Sequence, residues 1–359
     1  DVVILDKQNH HLFQPLLYQV ATAALSAPDI AAPIRQVLRK QRNTTVLLGR
    51  ALRIDPVGRR VLLDHGELSY DKLVLATGST HAYFGNDHWA AHAPGLKTAA
   101  DALEIRRRVL LAYESAERES DPDRLREWLT FAIVGAGPTG VELAGALAEI
   151  ARKTLAQNFR TFDPATTRVV LLDAAERVLP SFHAGLSAEA ERRLRRIGVE
   201  VRTGSMVTEV TARGVMAGDV WIPARTVLWA AGVQASPLAA SLGVELDRAG
   251  RVPVEPDLSA PGLPEVFVVG DLAAVRHGEG EVPGMAPGAI QMGRHAGRNI
   301  RRAVAGEPTR PFRYRDKGMM AAIGRAAAVA DVRGARLAGV LAWILWLVVH
   351  IAYLIGFRN

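Results

Sequence analysis

Short apolar runs recur along the chain, and each stops at a glycine or an acid. Asp1–Asp6 ends on Asp6, Lys72–Ser79 stops at Thr77-Gly78, and Phe131–Val134 stops at Gly135. Arg168–Leu172 ends at Asp173, Thr226–Gly232 at Gly232, and Glu265–Asp271 delivers Gly270 and Asp271. Such runs lack the polar alternation of a strand with one wet face, which predicts strands buried in an open α/β sheet. Helices are expected over Val141–Lys153, over a segment opening at Asp101, over Ser187–Arg196 with Ser187 as its cap, and within 284–306, and a turn at Ser120-Asp-Pro-Asp123. In such sheets ligands collect at the carboxyl ends of the strands, where these glycines and acids lie.

One junction is specific. Phe131–Val134 runs into Gly135-Ala-Gly137-Pro-Thr-Gly140 and straight on into a helix. Gly135 permits a sharp turn, Gly137 presents no side chain to a pyrophosphate, and Gly140 lets helix and strand pack closely. The helix N-terminus then offers free N–H groups and partial positive charge to phosphate. Asp173, closing the next strand, is placed to accept from a ribose 2′-OH. An acid there disfavours a 2′-phosphate, so NAD(H) is preferred over NADP(H).

The opening strand repeats the acid-at-strand-end pattern, with Asp6 where the second unit has Asp173, yet no glycine turn precedes it. The expectation is that a first strand and phosphate-binding turn lie upstream of Asp1. Two Rossmann-like units are then expected, with a second dinucleotide site lying around the glycine-turn unit.

The order of the strands resembles the two-dinucleotide-binding flavoproteins, in which an NAD unit is inserted in an FAD unit that resumes after it. More narrowly, it resembles the type II NADH dehydrogenases, single-subunit NADH:quinone oxidoreductases. The likeness is carried by Asn9–Ala21, Ala76-Thr-Gly78, Gly135–Gly145, Trp229–Val233, Val269-Gly-Asp271 and Tyr314–Gly324, which span essentially the whole chain. It implies an FAD domain over 1–101 and 236–310, an NAD(H) domain over 102–235, and a membrane-anchoring region over 311–359. It implies FAD held by Asp6, Ala76, Thr77, Gly78, Gly270 and Asp271, with Gln14 and Pro15 near the isoalloxazine. NADH would lie on Gly135, Gly137, Gly140, Asp173 and Gly232. Glu142 is expected beside the nicotinamide as a proton or positioning group; by itself it is also an acid suited to a helix N-terminus.

The quinone side departs from the family pattern. Where relatives often carry Ala-Gln-x-Ala-x-Gln, this chain has Ala286-Pro-Gly-Ala-Ile-Gln291, so Pro287 replaces the first amide. Positioning of a ubiquinone or menaquinone then falls to Gln291, to backbone groups, or to Lys317. The implied location is the cytoplasmic face of a bacterial inner membrane; pairing into a homodimer is left open.

Composition narrows the chemistry. The 359 residues contain no cysteine, so a redox-active thiol beside the flavin and thiolate-bound zinc or iron–sulfur sites are excluded from this stretch. The ten histidines show no metal-ligand spacing, and no metal is expected. Net charge is +7, and from Arg294 onward twelve Lys/Arg face three Asp/Glu, so the C-terminal part carries all of the excess. With no nucleic-acid motif beside it, this basic surface points to anionic lipid rather than nucleic acid.

Mean hydropathy is +0.08, and Leu337–Phe357 explains much of it, with only His350 ionisable. As one helix it would reach roughly 31 Å at 1.5 Å per residue, enough to span a bilayer. Trp343 and Trp346 near its middle favour a helix lying on the membrane surface instead. Two alternatives to quinone reduction stand: a reductase for a soluble protein acceptor such as ferredoxin, and a membrane-attached NAD-binding protein without flavin.

Overall fold

A computed structural model describes residues 1–278 and 280–354. The chain divides into two compact units: Asp1–His10 with Pro33–His81 and Val233–Lys317, and His11–Ala32 with Ala82–Gly232 and Gly318 onward.

Two of the parallel pairings in the first unit carry the predicted strand ends. Val2–Asp6 lies beside Thr44–Leu48, with Asp6 opposite Leu48, and Leu73–Leu75 lies beside Leu263–Val268, with Leu75 opposite Val268. Both pairings end where the sequence places acids and glycines. Val268 runs through Val269 into a single turn, Gly270–Leu272, and the Ala286–Val304 helix follows after a loop. Antiparallel strands Ala51–Asp55, Arg60–Leu63 and Glu67–Ser69 form a meander. Ile54, Leu75, Leu258, Phe267, Leu272 and Met292 are buried in the core of this unit.

The second unit is built on a four-stranded parallel sheet. Its order is Val199–Arg202, Arg168–Leu172, Thr130–Val134, Thr226–Trp229, which is third, second, first and fourth in sequence. This is half of a doubly wound fold, with the first strand central, so its C-terminal turn sits at the point where the order reverses. Every residue of Thr130–Val134 is buried, which explains the absence of alternation in its sequence. The Pro138–Glu149 helix follows directly. Pro138 suits its first position because the missing N–H would have no partner there. One large core joins this sheet to Leu17, Val20, the Ala99–Arg118 helix and the tail.

Three expectations need correction. The helix expected at Ser187 begins at Ala184, because the His183 ring caps it by accepting from Gly185 N, 3.2 Å. Ser187 lies inside it and donates to the Val178 carbonyl. Residues expected to form a turn at 120–123 open a helix, Pro122–Trp128, whose cap Asp121 accepts from Asp123 and Arg124 N–H.

The tail is not one helix. Ala335–Gly339 is the third strand of an antiparallel sheet with Met319–Gly324 and Ala327–Val332. Gly339, at φ +80°, breaks the chain, and Val340–Tyr353 is helical. At roughly 21 Å by the 1.5 Å rise, this helix falls short of the ~30 Å hydrocarbon core. No helix among the described residues is long and apolar enough to cross a membrane. Ala342 and Trp346 are buried in the unit core, whereas Leu341, Ile344, Val348 and Ile351 are exposed at helical spacing. Residues 355–357, counted in the apolar stretch, and Arg358 beyond it lie outside the described residues.

Candidate active site

The glycine turn separates into three physically distinct positions. Gly135 has φ +104°, and a Cβ there would come 2.5 Å from the Ala230 carbonyl. At Gly140 a Cβ would lie 1.8 Å from the Gly135 oxygen, so helix and strand can touch only without it. Gly137 differs: its φ is −70°, open to any residue, and a Cβ would meet no protein atom within 4 Å. Neither backbone nor packing requires glycine at that position. The Pro138–Glu149 helix has no side-chain cap at that end, so its first N–H groups are open to a ligand.

Asp173 stands at the neighbouring strand end and ties the turn in place. One carboxylate oxygen accepts from Ala136 N–H, between the first two glycines, and the other accepts from Ala175 N–H at 2.8 Å. A carboxylate offers about four lone-pair sites, so two backbone bonds leave acceptor capacity for a ribose hydroxyl. Gly232, at φ +96°, closes the sheet's fourth strand region. The exposed Phe84 ring fills the space a Cβ there would take, with Cζ at 2.7 Å.

Glu142, expected in the first turn, lies in the second turn of the same helix, because that helix opens at Pro138 rather than Val141 and has no acid in its first turn. Part of the residue reaches the surface, but burial of the carboxyl pushes its pKa up to about 8. A 3.3 Å bond from Ala322 N–H is a weak counterweight. Tyr18 is buried in the same unit, and burial, then the charge of Glu142, push its hydroxyl further above its ordinary value. Its oxygen accepts from Gln19 Nε2 at 3.1 Å. Sequence reasoning did not single out Tyr18 itself; a phenol inside the apolar run Leu16–Ala21 was the available signal.

In the first unit, Asp271 follows the Leu263–Val268 strand and accepts from Ser79 Oγ at 2.9 Å. Ser79, a partner 192 residues away in sequence, also escaped the motif reading. Gly270 has φ +70° and its N–H lies 3.3 Å from Met292 Sδ. Gly270 and Asp271 line a cavity of about 250 Å³ together with Gly284, Met285 and Ala289, at the start of the Ala286–Val304 helix. Ala76 and Thr77 are exposed, and Gly78, at φ +62°, gives its carbonyl to Ser236 N–H. Asp6 accepts from Gln8 N–H at 2.8 Å through one oxygen, and the other has no partner among the described residues.

The remaining predicted residues are placed less suggestively. Gln14 and Pro15 form a single 3-10 turn in the second unit, and the Gln14 amide donates to the Lys97 carbonyl at 3.1 Å. Gln291 spends both of its donors, on the Pro287 and Arg315 carbonyls, and accepts from Arg315 N–H, each at 3.0 Å. It ties the helix to the segment after it. Lys317 is exposed. No cluster of three or more potential metal ligands occurs among the described residues.

Residues 1–293 match the family described as pyridine nucleotide-disulphide oxidoreductase. The chain is 50% identical over its full length to the type II NADH:quinone oxidoreductase Ndh of Mycobacterium tuberculosis, covering 80% of that protein. It is 48% identical, again over its full length, to NdhA of the same organism, covering 79% of it. The fold matches NDH2 from Plasmodium falciparum, solved in complex with NADH, with a TM-score of 0.91 at 19% identity, covering 99% of this chain and 90% of that one. The chain therefore belongs to the pyridine nucleotide-disulphide oxidoreductase family and, within it, to the type II NADH:quinone oxidoreductases.

Proposed function

We propose that the protein is an FAD-dependent oxidoreductase that takes electrons from NADH and delivers them to a membrane quinone without pumping protons. The observation that carries this reading furthest is Gly137, whose missing side chain answers to no protein neighbour at the open end of a helix. It supports a dinucleotide whose phosphates meet the N–H groups of the first helical turn. Asp173 supports NADH over NADPH, since its carboxylate would face the 2′ position and repel a phosphate.

FAD fits the first unit. The cavity bearing Asp271 and Gly270 combines an acid for a polyol hydroxyl with backbone that permits close approach, and Asp6 keeps a free oxygen for a ribose. Ala76, Thr77 and Gly78 are assigned to the same cofactor. When bound, FAD supplies a ring that accepts hydride from NADH and passes the electrons on. The chain's own task is positioning: Gly135, Gly137, Gly140 and Gly232 admit the dinucleotide, and Asp173 holds both the turn and the ribose. With its pKa near 8, Glu142 is mainly a neutral carboxylic acid at pH 7 and holds a proton that can be donated. Gln291 supports the quinone side as the tie of the 315 segment, and Lys317 as an exposed cation.

The exposed row Leu341, Ile344, Val348 and Ile351 supports a helix lying on a membrane, its buried side docked on the protein and its apolar side facing lipid. Steady-state assays test the reading. NADH oxidation should proceed with a short-chain quinone and fail with ferredoxin, and the reverse preference would replace it. Leu341→Glu with Ile344→Glu should abolish co-sedimentation with anionic vesicles while leaving oxidation with a water-soluble quinone intact. Retained vesicle binding would refute the surface helix.

A further inference from the structure

The second unit holds a cavity of about 220 Å³ that no step above uses. Its walls are the end of the Leu17–Ala21 helix, the middle of the Ala99–Arg118 helix and the far end of the Pro138–Glu149 helix. It is separate from the glycine turn, because that helix runs roughly 18 Å between its ends.

Two backbone irregularities converge on it. Ala23 has φ +60°, a left-handed conformation that is strained for a residue with a Cβ. Ile150–Thr154 forms a π-helical turn, a rare form found disproportionately at functional sites. Much of the wall is apolar, with Val109, Ala146, Ile150 and Leu155 among its residues.

Against this apolar wall stands one uncompensated charge. Arg107 and Arg108 both pair with Glu104, at 2.7 Å each. Arg106, between Ile105 and that pair, lines the cavity, is half-buried, and has no hydrogen-bond or ion-pair partner among the described residues. The other charged wall residue, Glu149, is already engaged by Lys153 Nζ and Arg325 N–H. A guanidinium keeps its charge, and leaving it half-buried without an anion is unfavourable.

We propose that this cavity binds a short single-chain anionic amphiphile, with a carboxylate or phosphate head on Arg106 and an alkyl chain along Val109, Ala146, Ile150 and Leu155. The volume lies below the roughly 300–1,000 Å³ of sites for drug-sized ligands, which limits the occupant to one short chain.

Isothermal titration of the intact protein in neutral detergent tests this with octanoate, octyl phosphate and octanol. At least one of the two anions should bind once per chain, and at least tenfold more tightly than octanol. The tighter anion tells a fatty-acid source from a phospholipid-like one. Arg106→Gln should weaken anion binding at least tenfold without changing the thermal midpoint. Ala146→Leu, which narrows the chain channel and keeps the guanidinium, should weaken all binding that occurs in the cavity and covers the case in which Arg106→Gln fails to fold. Equal affinity for octanol and the anions, unchanged anion binding in either variant, or no binding of either anion would overturn the proposal.

Discussion

Replacing Glu142 by glutamine should change how stability depends on pH. In the folded protein the carboxyl titrates at about 8 rather than 4.5, because burial disfavours its charged form. Between those values the unfolded chain has released the proton and the folded chain still holds it. Wild-type stability is therefore complete below 4.5, declines as pH rises, and levels off above about 8. At about 1.4 kcal/mol per pH unit, the gap corresponds to a loss on the order of 5 kcal/mol, an upper bound because water entry and side-chain movement relieve part of it. Glutamine keeps an acceptor for Ala322 N–H and has no charge to bury, so the variant lacks this decline. The assay is denaturant unfolding of both proteins at pH 5 and pH 8.5 in one detergent. The variant's advantage should grow by several kcal/mol between the two. An advantage that stays constant with pH would refute the claim that Glu142 is held protonated by burial.

Four further outcomes follow from the same geometry. Gly137→Val should leave stability within about 0.5 kcal/mol, because a side chain there meets no protein atom, yet weaken NADH binding at least tenfold. Gly140→Ala should fail to fold, since its Cβ would collide with the Gly135 carbonyl; soluble, melting Gly140→Ala protein would contradict the packing argument. Burial lowers the pKa of His350 below 6.5, so the unfolded chain takes up a proton first as pH falls. Relative to His350→Gln, the wild type should lose stability below pH 6.5, opposite in direction to the Glu142 effect, and parallel curves would refute it. Gln291→Ala removes three bonds to the Pro287 and Arg315 backbone and should cost about 1–3 kcal/mol in urea unfolding; no loss would show the tie to be weak.

Much of the inserted unit was legible because its signals are local. Arg168–Leu172 is bounded by an acid and a turn, and the strand has those limits. The motif helix starts at Pro138, ahead of the expected Val141, because proline can open a helix although it reads as a breaker. The tail was misread for a general reason. Apolar runs in strands and helices look alike, and hydropathy does not register the positive φ of Gly339 that splits this one. The candidate site was legible as positions and not as chemistry. Asp173 and Asp271 announce themselves at strand ends, but their partners Ala136 and Ser79 come from remote parts of the chain. The raised pKa of Glu142 depends on an enclosure to which Ala322 contributes from 180 residues away. Gln291 shows the converse, a residue marked for a ligand whose donors the fold has already used.

The most direct test of the central claim is the visible spectrum of the protein purified in mild detergent, followed through two anaerobic additions. Flavin bands should be present, bleach on adding NADH, and return on adding a ubiquinone or menaquinone analogue. A colourless protein, or bands that bleach and do not return with quinone, would contradict it.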